Sequence, residues 1–364
     1  MTVGFTLQRY LARRFAIWIG SLFAATFFLI WLFDFLELVR RAGDKPGFSI
    51  GKTATMSIFR VPSLIEQALP FAVLFGSIIV YRSLSRSLEL VIARSVGVSV
   101  WQFSAPPLIV TFLIGLFAVG VFNPVSAHLK QISDAIGIEL LGTEQRVLLQ
   151  SSGDAWLRQD GVDGESVLHA KRSLDQGSRL FGVTAFTFTR QGRFATRIEA
   201  EGAVLENGQW RLNKGQIFAP DEKPRDFATF YLSTYLTAEQ IRESFAAPDT
   251  VSFWDLGNYI DLAEKSGLNA YQYRMQYQTL LARPLLLCAM VLIAAIVSLK
   301  SARFGGAIPL ILGGIGAGFV LYVVTEITED LGGAGIVPPF VAAWAPGIIA
   351  GLLGISILLY QEDG

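Results

Sequence analysis

Long stretches without charge limit how this chain can fold more than any other feature of its sequence. A helix needs about 20 apolar residues to cross the hydrocarbon core of a bilayer, and six stretches of the 364-residue chain meet or approach that length. They lie at residues 15–33, 61–81, 95–127, 284–299, 304–325 and 331–361, and Glu66 is the single charged residue among them. We therefore predict six membrane-spanning helices.

A polar region at about residues 126–268 separates the third stretch from the fourth. Its short runs of alternating apolar and polar residues are typical of half-buried strands, and Asn207-Gly208 is a strong hairpin signal. The runs lie at 147–157, 166–174, 181–190, 194–205, 210–218 and 227–235. We predict an α-helical membrane protein with an inserted antiparallel, jellyroll-like β domain. The predicted parts are spans 1–3 in residues 1–125, the β domain with flanking helices in 126–268, and spans 4–6 in 269–364.

Lysine and arginine lie unevenly around the predicted helix ends. Cytoplasmic loops of membrane proteins carry the excess of these residues. One side has Arg9, Arg13, Arg14, Arg82, Arg86, Arg94, Lys300 and Arg303, and the other has Arg40, Arg41, Lys45 and Lys52. The larger set predicts cytoplasmic N- and C-termini and a β domain outside the cytoplasm. The basic loop after the first span is an exception to the rule, which we interpret as a sign of function.

The sequence gives little support for an enzyme or a nucleic-acid-binding protein. Its 30 basic and 30 acidic residues give a formal net charge of zero, so no nucleic-acid partner is indicated. The segment 47–53 resembles a phosphate loop but has three residues between its glycines where the motif needs four. His128 and His169 are the only histidines and have no cluster of ligands nearby, and Cys288 is the only cysteine. We expect no catalytic residue, metal, cofactor or intrachain disulfide.

Ionisable residues occur at one predicted depth, near the outer ends of the spans. Such residues are costly in a membrane and usually pair or line a polar path. One hypothesis is a largely basic collar that binds the anionic head of an amphiphile. The alternative is a set of interfacial side chains and structural ion pairs, which we favour for Glu66–Arg283. The candidate headgroup-binding residues are Arg40, Arg41, Lys45, Asp34 and Arg283.

The predicted cytoplasmic loop at about 83–98 has apolar residues at helical spacing, among them Leu88. Glu89 and Arg94 lie on other faces, and Gly97 suits the end of a helix. A short amphipathic helix of this kind either lies on the membrane surface or docks into a groove of a cytoplasmic partner.

Short motifs are distributed along the whole chain. They are Arg9-Tyr10-Leu11, Leu38-Val39-Arg40-Arg41-Ala42-Gly43, the segment 87–99, Asn258-Tyr259, Ser266-Gly267, Tyr273, Arg283-Pro284, Gly316, Gly318-Phe319, Tyr322 and Gly335-Ile336-Val337-Pro338-Pro339. Together these motifs resemble the LptF/LptG lipopolysaccharide-export permease family (YjgP/YjgQ type). The resemblance covers essentially the whole chain, including the order of three spans, a β domain and three spans. The basic pair before Ala42-Gly43 favours the LptG branch.

The resemblance implies a non-catalytic permease subunit of an ABC exporter in Gram-negative bacteria. Such a subunit takes lipopolysaccharide from the outer leaflet of the inner membrane and passes it toward the outer membrane. The implied partners are an LptF-type second permease, an LptB-type dimer that hydrolyses ATP, and LptC- and LptA-type periplasmic bridge proteins. The alternative is a membrane-anchored periplasmic receptor or assembly factor without transport activity.

The resemblance also implies roles for particular residues. The ATPase would be coupled through Glu89, Leu88, Arg94 and Gly97, and acyl chains would pass Phe186 and Phe188 inside the β domain. Relatives can carry a basic residue where this chain has Asp34. An acid would repel an anionic head unless it pairs with Arg40, Arg41 or Arg283. Without such a pair, we expect the headgroup to differ or the contact to be made elsewhere.

Overall fold

A computed structural model describes most of the chain. The described residues are 4–43, 48–141, 155–162, 164–174, 178–189, 193–206, 208–220, 223–235, 248–265, 270–300 and 307–363. All structural statements below concern these residues. Lys45, one of the predicted headgroup-binding residues, lies outside them.

Nine α-helices occur in the described residues, and six helical segments are long and apolar enough to cross a membrane. The helices are α1 (Phe5–Ala42), α2 (Ile50–Arg86), α3 (Glu89–Ser95), α4 (Val100–Phe117), α5 (Asn123–Leu141), α6 (Leu256–Lys265), α7 (Tyr271–Lys300), α8 (Ala307–Gly333) and α9 (Pro339–Asp363). Spans 1 and 2 are α1 and α2, span 3 is α4 with α5, and spans 4 to 6 are α7 to α9. The prediction of six spans is confirmed, and the chain is a multi-pass membrane protein.

Spans 2 and 4 form the centre of the helical part, and span 1 is the least buried of the six. The main core cluster packs Leu74 and Tyr81 of α2 against Leu287 and Ala294 of α7. Spans 3 and 4 pack closely together at Gly115. A Cβ added to this glycine would lie only 2.6 Å from the Cα of Pro284. Small residues permit this approach of two backbones, which is a common basis of helix packing in membranes.

The β domain is one six-stranded antiparallel sheet in which each strand pairs with its neighbours in sequence. The strands are β1 (Ala155–Gly161), β2 (Gly164–Leu174), β3 (Arg179–Phe188), β4 (Phe194–Glu206), β5 (Gln209–Phe218) and β6 (Arg225–Ser233). The predicted hairpin at Asn207-Gly208 is confirmed by the bounds of β4 and β5, and Gly208 has a φ of +75° that suits glycine. An antiparallel β domain inserted between spans 3 and 4 is therefore confirmed.

The first strand differs from its predicted position at 147–157. It runs to Gly161, and residues 147–154 lie outside the described part of the chain. Asp160-Gly161 is a common turn signal in sequence, but it pairs with Glu165 and Gly164 at the end of the β1–β2 hairpin. The chain reverses direction just after this pair, so the turn lies two residues beyond the sequence signal.

The sheet curls until its two edge strands meet. An added Cβ on Gly161 of β1 would lie 2.4 Å from the carbonyl oxygen of Ser233 in β6. Beneath this crossing the indole of Trp210 donates a 2.9 Å hydrogen bond to Gln159 Oε1, and Trp210 is fully buried. The inner face of the curled sheet is apolar, with Leu168 and Ile198 among its buried residues.

Candidate functional site

The ends of the spans that lead into the β domain carry three separate polar groups. We call the span ends that lead into the β domain the β-side ends, and the opposite ends of the spans the far-side ends. The first group, the exposed cluster, consists of Glu37, Arg40 and Arg41 in the last turns of α1. Arg40 donates two 2.9 Å hydrogen bonds to the Glu37 carboxylate and Arg41 donates one at 2.5 Å. The side chains of Arg40 and Arg41 remain 78% and 51% exposed.

This geometry follows directly from helical spacing. Residues three and four positions apart lie on the same side of a helix, so one glutamate reaches both arginines. The cluster carries a formal charge of +1, and its arginines still have N–H donors for an external anion. The part played by Glu37 was missed from the sequence, although its spacing to Arg40 and Arg41 was sufficient to find it.

The second group explains how Asp34 is accommodated. Its carboxylate accepts a 2.7 Å hydrogen bond from Ser57 of α2 and lies 3.6 Å from the guanidinium of Arg60. The Asp34 side chain is only 10% exposed. The acid that was expected to repel an anionic head therefore points between spans 1 and 2. Its partner there is Arg60, and the predicted pairing with Arg40, Arg41 or Arg283 was wrong, because those arginines contact Glu37 and Glu66.

The third group, the buried cluster, consists of Glu66, Arg283 and Asn123 and joins spans 2, 3 and 4. Arg283 donates a 2.9 Å hydrogen bond to Glu66, and the Asn123 amide donates to the same carboxylate at 3.3 and 3.4 Å. The side chains of Glu66 and Arg283 are 9% and 12% exposed. The structural ion pair favoured from the sequence is present, whereas Asn123 was missed because an uncharged amide gives no signal in a charge pattern.

The buried cluster also holds the segment that returns from the β domain. The Asn123 side-chain oxygen accepts a 3.0 Å hydrogen bond from the backbone N–H of Phe253. Next to it, the Trp254 indole donates to the carbonyl of Gly120 at 3.0 Å. Gly120 belongs to a π-helix, Ala118–Phe122, and such widened turns in α-helices are frequent at functional sites. The membrane part and the β domain are thus joined through span 3.

The predicted headgroup residues are therefore not brought into one site. Arg40 and Arg41 lie with Glu37, Asp34 lies with Ser57 and Arg60, and Arg283 lies with Glu66. Within the described residues, the largely exposed arginines of α1 are the members of the set best placed for an external anion.

At the far-side ends, the segment predicted as one helix at about 83–98 is divided. Helix α2 continues to Arg86, and the short helix α3 begins at Glu89. Between them Leu88 has a left-handed backbone, with φ of 60°, which is uncommon and strained for a branched residue. The chain therefore turns sharply before α3.

The end of α3 agrees with the sequence. Gly97 has φ of +86°, and the N–H groups of Gly97 and Val98 donate to the carbonyls of Arg94 and Ala93 at 3.0 Å each. This pair of bonds is a Schellman motif, the usual helix ending at a left-handed glycine. The predicted helix end at Gly97 is confirmed.

The short helix presents an apolar stripe outward. Leu88, Ile92 and Val96 are 58%, 61% and 69% exposed and are spaced by four residues, while Leu90 is buried in the main core. Arg94 is half-buried. Apolar side chains at this spacing on an exposed helix suit a groove in a partner protein.

Glu89, the first residue of α3, is held by neighbours within the chain. Its carboxylate accepts a 2.7 Å hydrogen bond from Ser87 and lies 3.3 Å from the guanidinium of Arg14 in α1. Partial burial by itself would raise the pKa of Glu89, but hydrogen bonds from Ser87 and Tyr10 and the charge of Arg14 hold that pKa below its ordinary value of 4.5. The group is ionised at neutral pH.

Phe186 does not lie on the buried face of the sheet. Phe186 follows the buried Ala185 and pairs in register with Arg197, on the opposite face. Phe188 packs edge-on against Phe194, with ring centroids 6.2 Å apart. Alternation predicted an apolar interior, but it did not identify which face of each strand turns inward.

Comparisons with known proteins agree along the length of the chain. The family model described as "Lipopolysaccharide export system permease LptF/LptG" matches residues 9–360. The chain is 24% identical over 361 residues to the lipopolysaccharide export system permease protein LptG of Haemophilus influenzae, covering 94% of this chain and 95% of that protein. It is 22% identical over 374 residues to the protein of the same name from Escherichia coli K12, covering 98% of each.

Proposed function

Because the chain belongs to the LptF/LptG family of lipopolysaccharide export permeases, we propose that it is the LptG-type transmembrane subunit of an ABC exporter. In this proposal it extracts lipopolysaccharide from the outer leaflet of the inner membrane and passes it to a periplasmic bridge toward the outer membrane. The observation that carries the proposal is the match over residues 9–360 together with six spans interrupted by one β domain. The N- and C-termini are cytoplasmic and the β domain is periplasmic, as the distribution of Lys and Arg favours.

The headgroup is assigned to the end of α1. Arg40 and Arg41 are exposed next to the outer end of an apolar span, and Lys45 follows shortly in the sequence. Arginine binds phosphate through charge-assisted and often bidentate hydrogen bonds. Asp34 and Arg283 act indirectly, because each is engaged by partners between the spans.

Coupling to an LptB-type ATPase dimer is assigned to α3. The exposed stripe of Leu88, Ile92 and Val96 supports docking into a groove, and Glu89 stands at its start with 39% of its side chain exposed. Gly97 fixes the end of the helix, and Arg94 lies one turn before it. The chain supplies no hydrolytic group in this proposal, because the ATPase hydrolyses ATP.

A second, LptF-type permease is assigned to the open side of spans 1 and 5. These two spans are the least buried and expose large side chains such as Phe33 and Phe319. Between the two permeases the acyl chains occupy an apolar cavity. They then follow the inner face of the sheet, near Leu168 and Ile198, toward LptC- and LptA-type bridge proteins. Phe186 lies on the other face and does not line this route, whereas Phe188 lies beside Phe194 at the end of the β3–β4 hairpin.

The proposal is tested first by purification from the native membrane in mild detergent, followed by mass spectrometry. We expect a second six-span permease, a small ATPase and lipopolysaccharide to accompany the chain. A solitary chain or homodimer with neither ATPase nor glycolipid would overturn the proposal and favour a receptor or assembly factor.

The headgroup assignment is tested with the double variant Arg40→Gln/Arg41→Gln. We expect much less lipopolysaccharide to be retained, because two exposed phosphate-binding groups are removed. Arg274→Gln is the matched control, since Arg274 is a half-exposed arginine on the β side that also pairs with a glutamate, Glu264. Equal retention in the two variants would contradict the assignment.

A further inference from the structure

Arg14 connects span 1 to the segment that precedes and begins α3. Its guanidinium donates a 2.7 Å hydrogen bond to Ser83 near the end of α2 and approaches the Glu89 carboxylate of α3 at 3.3 Å. Tyr10, one turn earlier in α1, receives a further hydrogen bond from the same group at 2.5 Å. One side chain of span 1 therefore contacts both sides of the break between α2 and α3.

The break makes this side-chain connection important. The left-handed Leu88 ends the continuous helix of span 2, so the direction of α3 is not imposed by an unbroken helical backbone. The contacts of Leu90 and Glu89 hold α3 from its first turn: Leu90 lies in the core, and Glu89 contacts Ser87, Tyr10 and Arg14. Tyr10 and Arg14 belong to α1, and Arg14 is the one of the two that also donates to Ser83 of α2.

Span 1 is suited to carry a displacement through the membrane. Helix α1 has 38 residues without an internal proline, and Arg14 is about 40 Å from Arg40 at 1.5 Å per residue. It is also the least buried of the six spans. Arg40 and Arg41, the proposed headgroup ligands, stand at the other end of the same helix.

We propose that Arg14 is a positioning residue that transmits the movement of α3 to span 1. The inference rests on the proposed function, since it requires an ATPase that moves α3. A carboxylate has about four acceptor sites, so Glu89 can keep Arg14 while its exposed side receives a donor from the ATPase. Hydrolysis then displaces span 1 through Arg14, and the displacement reaches the headgroup ligands.

The test uses the whole complex purified from the native membrane and placed in vesicles that contain lipopolysaccharide. The measured quantity is lipopolysaccharide released per ATP hydrolysed. We expect Arg14→Gln to lower this ratio by about 2- to 30-fold, the range for residues that carry coupling between sites. Arg13→Gln is the matched control: Arg13 is the adjacent arginine of α1 and is exposed, and its substitution leaves the ratio unchanged.

Two further variants separate positioning from a general loss of structure. Arg14→Lys keeps the charge and recovers most of the ratio, although lysine lacks the fork that contacts Ser83 and Glu89 together. Arg14→Gln combined with Glu89→Gln has a ratio no lower than Glu89→Gln alone, because Arg14 acts through Glu89.

The inference is overturned if Arg14→Gln has the same ratio as Arg13→Gln, or if the Arg14 and Glu89 effects multiply independently. Failure of the proposed function is detected in the unmodified complex, before any variant is compared. The unmodified complex would then contain no ATPase or release no lipopolysaccharide, and the inference would fall with it.

Discussion

The buried cluster of Glu66, Arg283 and Asn123 and the exposed cluster of Glu37, Arg40 and Arg41 place the same kind of ion pair in opposite surroundings. Both lie toward the β-side ends of the spans. Glu66 and Arg283 are about one-tenth exposed, whereas Arg40 is 78% exposed. Breaking a buried pair leaves a charge without a partner or water, while an exposed pair is worth little because water replaces it. The degree of burial, rather than the residue type, determines whether such an ion pair stabilises the fold or remains available to a ligand.

The largest effect is expected when the buried cluster loses one partner. Arg283→Met should lower the free energy of unfolding by about 3–5 kcal/mol, because Glu66 stays buried without its cation. The measurement is the unfolding midpoint in detergent. Arg274→Met on the same helix removes an exposed arginine and should cost about 1 kcal/mol or less.

A double variant identifies the source of that loss. Glu66→Leu/Arg283→Met should recover much of the stability, because an apolar pair carries no unpaired charge. A double variant as unstable as Arg283→Met would show that packing, rather than the isolated charge, dominates.

An intermediate effect is expected at Asp34, whose surroundings lie between those of the two clusters. Asp34→Ala should lower the free energy of unfolding by about 1–3 kcal/mol, because Ser57 and Arg60 lose their acceptor. Asp34→Asn keeps an acceptor for Ser57 and should cost less. The same unfolding assay ranks the two variants, and the reverse order would contradict this account of Asp34.

In the exposed cluster, stability and ligand binding should separate. Glu37→Gln should leave the free energy of unfolding nearly unchanged, because water replaces an exposed ion pair. It frees both arginines from their shared acid, so the lipopolysaccharide retained through purification should rise by about 2- to 5-fold, which corresponds to an exposed ion pair. Lower retention would mean that Glu37 holds the arginines in their binding geometry instead of competing with the ligand.

The smallest effect concerns Glu89 and pH. Its pKa is held below 4.5 in the folded chain, so its pairing contributes stability above the pKa of the unfolded chain. This contribution is lost as pH falls through the lowered folded pKa. Unfolding midpoints of the unmodified chain and Glu89→Gln should differ at neutral pH and converge in acid. A difference that stays constant with pH would contradict the ionised pairing of Glu89.

The sequence was sufficient for the architecture but only partly for the site. Apolar stretches and strand alternation are local patterns, so the spans and the sheet were found, and Gly97 was correctly assigned as a helix end because a left-handed ending requires glycine. The partners of Asp34 could not be found in this way. Ser57 is 23 positions away, and only the packing of span 1 on span 2 brings its hydroxyl to the carboxylate.

By itself, the sequence determined that this protein crosses a membrane, that an antiparallel β domain interrupts its spans, and which family it resembles. These properties depend on hydrophobicity and backbone preference, which each segment carries locally. Tertiary structure alone decided that Asn123 joins the pair of Glu66 and Arg283, that Phe186 lies outside the buried face, and that Arg14 reaches Glu89. Each depends on how distant segments are oriented, because burial and pairing arise only when helices and strands pack together.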